Sequence, residues 1–98
     1  MLSYRVMYDE AWNQLFDLVA SRNALLRALN TMSRLAMEVT PASGMVIEFE
    51  VTRAEELIVK IEQLTGEISA GIREVNTLAE RCGAPSVQWQ NIATRPEP

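Results

Sequence analysis

Apolar residues recur at alternating spacings of three and four over two long stretches of the chain, and this pattern leaves few folds open. The first stretch runs from Tyr4 through Ala11, Leu15, Leu18, Leu25, Leu29 and Met32 to Val39, with one charged member, Arg22. The second runs Leu57, Ile61, Leu64, Ile68, Gly71, Val75, Leu78, Cys82. A residue every three or four positions stays on one helical face, whereas a strand alternates every two. Both stretches are therefore predicted to be long α-helices. Beside the first seam, Trp12, Val19 and Leu26 repeat every seven residues, and beside the second Ile58, Thr65, Ile72 and Ala79 do the same. An apolar stripe of this width suits a bundle better than a lone helix pair.

Local signals set the expected ends. Ser3 or Asp9 is a candidate N-cap for the first helix. Pro41 stops it, because proline disfavours the α conformation at Thr40. Thr52-Arg53-Ala54-Glu55 has the form of a capping box. Gly83 supplies a left-handed cap at the other end, and Pro85 prevents continuation. Residues 2–8 alternate as well, but Tyr4 and Tyr8 continue the heptad, which favours helix. Ile47-Glu48-Phe49-Glu50-Val51 alternates apolar and acidic residues, as a half-buried strand does, and Ser86–Asn91 alternates more weakly.

The expected fold is mainly α: a long antiparallel two-helix hairpin with one or two short β-strands, forming a four-helix bundle as a dimer. Its 98 residues hold one domain, 1–94, followed by a flexible tail, 95–98, that contains two prolines. Antiparallel heptads layer Leu15 with Leu78, Leu18 with Val75, Arg22 with Gly71, Leu25 with Ile68 and Leu29 with Leu64. The same pattern admits a slip of one heptad. In this register the only seam cation meets the only seam glycine. Gly71 then makes room for the Arg22 stem, and the guanidinium reaches Glu67, Glu74 or water. The strands lie at opposite ends of the hairpin, so they pair only across an antiparallel dimer.

Composition narrows the function. The chain has 9 Lys and Arg against 13 Asp and Glu, a net charge of −4, and the excess acid lies in residues 45–98. That balance argues against nucleic acid, which demands a basic face. No apolar run spans a bilayer, and no secretory leader is apparent. The single cysteine, Cys82, fits a reducing compartment, so a cytoplasmic location is expected. The absence of histidine removes His-based triads and His metal sites. No glycine-rich phosphate loop or zinc-type cysteine pair is present, so no cofactor is expected.

Few residues suggest chemistry. Cys82 on the seam reads as a buried structural thiol. Glu48 and Glu50, followed by Glu55 and Glu56, read as a charged strand face and a helix start rather than a cation site. Arg22, with Asn23 beside it, is the candidate grip for a carboxylate or phosphate. Arg5 and Arg22 lie 17 residues apart on one helix, and the run Leu15-Phe16-Asp17-Leu18-Val19-Ala20-Ser21-Arg22 precedes further apolar residues. Over about 20 residues this resembles the first helix of the all-α chorismate mutases, small dimeric enzymes whose arginines there grip substrate carboxylates. The chain departs from that pattern at Ser33, where a basic residue is expected, and at the predicted strand, which replaces the middle helical region.

The residues themselves read as a non-catalytic helical interaction module, an adaptor, chaperone-like or inhibitor subunit, that homodimerises and binds a further protein. Trp12, Val19, Leu26, Ile58, Ile72, Phe49 and Trp89 are the expected dimer contacts, because a single hairpin leaves them without intrachain partners. The alternative is a small all-α dimeric enzyme or an anionic-ligand binder centred on Arg22.

Overall fold

A computed structural model describes residues 3–38 and 51–89. Helix α1 comprises Tyr4–Glu38, 35 residues, and helix α2 comprises Val51–Cys82, 32 residues. At 1.5 Å per residue they are about 52 and 48 Å long. They pack side by side as an antiparallel hairpin.

The ends follow local chemistry. Ser3 caps α1: the Val6 amide donates to Ser3 Oγ at 3.1 Å, and the Met7 amide donates to the Ser3 carbonyl at 3.1 Å. Asp9, the other candidate cap, lies inside the helix and pairs with Arg5 at 3.7 Å. Helix α2 opens at Val51, so Thr52 stands in its first turn and not at the cap, which requires a non-helical residue. At the far end Gly83 has φ of +69°. The Ala84 amide donates to the Ala79 carbonyl at 2.9 Å, closing a Schellman turn that reverses the chain.

Among the described residues there is no strand. Val51, the end of the first expected strand, is helical, while residues 47–50 and the Pro41 stop lie outside the described residues. Ser86 to Gln88 are irregular and Trp89 is in a 3₁₀ turn, so the expected strand does not form there. The backbone of Val87 is bound by a side chain, not by a neighbouring strand, which removes the pairing argument for an antiparallel dimer.

The helices mesh one heptad away from the layering favoured by the sequence. A Cβ placed on Gly71 would lie 3.2 Å from Leu15 Cδ1, so glycine faces leucine rather than arginine. One heptad further along α1, Arg22 Nε donates to Thr65 Oγ1 at 2.9 Å. The Arg81 guanidinium carbon lies 5.5 Å from the Tyr4 ring centroid, in keeping with the same offset. This register gives the seam cation a hydroxyl acceptor and seats Leu15 where α2 has no side chain. In the other register Arg22 would face Gly71 and Leu15 would face Leu78.

The core lies toward the chain-end half of the hairpin. Tyr8, Ala11, Trp12 and Leu15 of α1 pack with Ile68, Val75, Leu78 and Ala79 of α2 and with Val87. Tyr8, Trp12 and Phe16 form an aromatic ladder along α1, with ring centroids 6.5 and 5.1 Å apart.

Two stability outcomes follow from the glycines. Gly71→Leu should overfill the Leu15 layer and cost about 1–3 kcal/mol, and Leu15→Ala should relieve part of that loss in a double-mutant cycle read by denaturant unfolding. A Gly71–Leu15 coupling near zero would refute the register. Gly66 has nothing within 4 Å of its Cβ position, so Gly66→Ala should stabilise α2 by up to about 1 kcal/mol.

Candidate functional site

The third element of the fold is short. After the Gly83 turn, residues 84–89 fold back over the hairpin as a strap. Tyr8 Oη donates to the Pro85 carbonyl at 3.3 Å. Asn76 holds Val87 on both sides: the Val87 amide donates to Oδ1 at 2.7 Å, and Nδ2 donates to the Val87 carbonyl at 3.0 Å. The Val87 side chain is 1% exposed. At the strap's end the Arg22 guanidinium carbon sits 5.9 Å from the Trp89 ring centroid, a cation–π contact.

The strap covers what was expected to need another chain. Trp12 is fully buried within the protomer, and Ile72 and Val19 pack against the same core. The premise that these side chains lack intrachain partners is therefore corrected. A sequence reading assigned the strap to a strand and missed Asn76, whose amide satisfies one backbone donor and one acceptor outside any sheet. The Gly83 and Pro85 signals already required a reversal, and Val87 is the large apolar residue that follows it.

Beyond the strap the seam is open. Among the α1 side chains described after Leu15, through Arg34, none is buried: Leu18, Leu25, Leu26, Leu29 and Met32 are all half-buried. On α2, Ala54, Leu57 and Ile61 are buried, but Ile58 is 43% exposed. The flanking stripe is thus covered at Trp12, Ile72 and Ala79 and uncovered toward Leu26 and Ile58. Trp89 is 46% exposed, and Phe49 lies outside the described residues.

Arg22 lies where the covered and open halves meet. Its Nε is used by Thr65, whose hydroxyl in turn donates to the Ile61 carbonyl at 2.8 Å. Among the described residues no carboxylate pairs with Arg22, so Glu67 and Glu74 do not serve as expected, and Gly71 houses Leu15 instead of the arginine stem. Asn23 is exposed. Arg5 is about 25 Å from Arg22 along the helix axis, pairs with Asp9 and covers the Tyr8 ring. One protomer therefore does not bring the two arginines together.

The remaining candidates are dispersed. Cys82 is half-buried against the core rather than fully enclosed. Glu55 and Glu56 are exposed, Glu56 lies 3.7 Å from Arg53, and Glu48 and Glu50 lie outside the described residues. Among the described residues no group of three or more carboxylates and thiols could hold a metal ion. No described helix is long and apolar enough to cross a membrane. No known protein family, curated protein or solved structure matches the chain.

The strap's anchors can be weighed by substitution. Asn76→Ala removes two hydrogen bonds and leaves the Val87 amide and carbonyl unpaired, at a cost of about 1–3 kcal/mol. Cleavage between 83 and 89 under limited proteolysis should accelerate in the same variant, and unchanged cleavage would show that Asn76 does not hold the strap. Arg22→Leu loses one hydrogen bond and one cation–π contact but gains apolar burial, so its melting free energy should stay within about 1 kcal/mol of the parent.

Proposed function

We propose that this chain is a non-catalytic helical interaction module that works as a homodimer and presents the dimer to a further protein. The open half of the hairpin carries the reading. Its α1 side chains are apolar and heptad-spaced yet only half-buried, and Ile58 of α2 is 43% exposed.

The surface area supports the same reading. The chain exposes 6987 Å², whereas a compact monomer of its mass exposes about 5,600 Å². The surplus of roughly 1,400 Å² exceeds the roughly 800 Å² that one partner contributes to an ordinary interface. The shape agrees: the radius of gyration is 19.0 Å and the extents are 66 × 22 × 15 Å, against a radius of about 13 Å for a compact domain of similar length.

Sedimentation equilibrium at micromolar concentration should give twice the 11.0 kDa chain mass. Leu26→Lys and Ile58→Lys, each placing a charge on the open stripe, should return the protein to monomer while helical circular dichroism persists. A native protein that sediments as a monomer would sink the proposal. Melting with a panel of small carboxylates and phosphates tests the rival reading. A stabilisation that disappears in Arg22→Leu would move the function to anion binding.

A further inference from the structure

We infer that the second copy docks on the open half with both turn ends at the same end of the dimer, so that α1 of each copy lies against α2 of the other. This rests on the homodimer reading above and specifies its geometry. The strap already covers the flanking stripe at the chain-end half, so the part of that stripe left for a partner is Leu26 and Ile58 at the turn half. Any two-fold dimer that uses them must overlay the two turn halves.

Two arrangements do this, and the polar border separates them. With the two-fold axis across the hairpin, α1 meets α1 and α2 meets α2. With the axis along the hairpin, α1 meets α2 of the partner. By heptad position Glu55 and Glu62 flank Ile58 on its exposed side, while Asn23 and Asn30 flank Leu26 on α1, and all four are exposed. An α2–α2 contact would gather four carboxylates against one another, a like-charge arrangement that opposes association. The α1–α2 contact replaces that repulsion with amide–carboxylate pairs. The register set by Leu15 on Gly71 makes Glu62 level with Asn23 and Glu55 level with Asn30. A two-fold axis along the hairpin preserves those levels between copies. Each heptad of the open half therefore presents one donor amide and one acceptor carboxylate at matching height, and the surface is complementary to itself.

Spin-label distances decide the geometry. In a Cys82→Ser background, single labels at Asn13 or Arg27 lie on the helix face opposite the seam. The inferred dimer gives self-distances at the two sites within roughly 10 Å of one another, since both reflect the bundle width. The crossed arrangement gives values whose axial parts differ by about 36 Å, from 1.5 Å per residue counted from the middle of the open half. A second variant retains Cys82. Asn23→Glu should weaken dimerisation by roughly tenfold or more by placing like charges at one level, and adding Glu62→Lys should restore it. Absence of any dipolar signal, with a monomeric mass, would overturn both the homodimer and this geometry. A dimer with unequal distances, or an Asn23→Glu defect that Glu62→Lys does not rescue, would overturn the geometry alone.

Discussion

Leu15 against Gly71 is the contact on which the rest of the hairpin depends. Two heptad helices can slide past one another by seven residues and still bury leucine against leucine, so apolar pattern alone leaves their register degenerate. A side chain packed closely where the opposite helix has no Cβ favours one of the two registers. Once Leu15 occupies the Gly71 position, the polar contacts follow by helical repeat. Arg22 comes level with Thr65, Tyr4 comes under Arg81, and the C-terminus of α2 reaches the start of α1. That last placement lets the Tyr8 hydroxyl take the Pro85 carbonyl and lets Val87 enter the core.

The hairpin is consequently unequal along its length. At the chain-end half, six residues of strap do the covering that a third helix does in a bundle. They add one buried apolar side chain, whose amide and carbonyl are satisfied by Asn76, because a segment with no neighbouring strand must find its hydrogen bonds elsewhere. At the turn half the apolar stripe continues, and among the described residues no segment covers it as the strap does. A helix pair has a line of contact and not an enclosed interior, so residues one position off that line stay half in water. The same heptad flank is thus core at Trp12 and surface at Ile58.

How much of this is legible in the sequence depends on the range of the interaction. The two helices and the Gly83 reversal come from spacing and local chemistry, which also narrow the first cap to Ser3 or Asp9, and the structure uses Ser3. The register does not, because both layerings satisfy the same heptads and differ only in the fit of Leu15 against Gly71 and of Arg22 against Thr65. The strap was misread because alternation at Ser86-Val87-Gln88-Trp89 describes which side chains turn inward, not what their backbone pairs with. Val87 does turn inward, but an asparagine side chain takes the place of a strand. Trp12 shows the same limit: it is buried in a core cluster that includes Val87, some 75 residues away, which heptad spacing does not reveal. For Arg22 the sequence reveals an isolated seam cation, but pairs it with Gly71, whereas its neighbours are Thr65 and Trp89.

Arg22 ties these features together. It lies at the end of the covered half, held by Thr65 on α2 and stacked on Trp89 at the tip of the strap. Sliding α2 by one heptad would break both contacts and bring the guanidinium opposite Gly71. A polar residue in an otherwise apolar seam thus adds little to stability but makes the wrong register costly, the best-attested use of such groups. It also interrupts the apolar stripe between its covered and open parts. Its guanidinium, engaged by the Thr65 hydroxyl and the Trp89 indole, is where the strap's cover ends. The residue that makes the wrong register costly thus also joins the strap's tip to the helix pair.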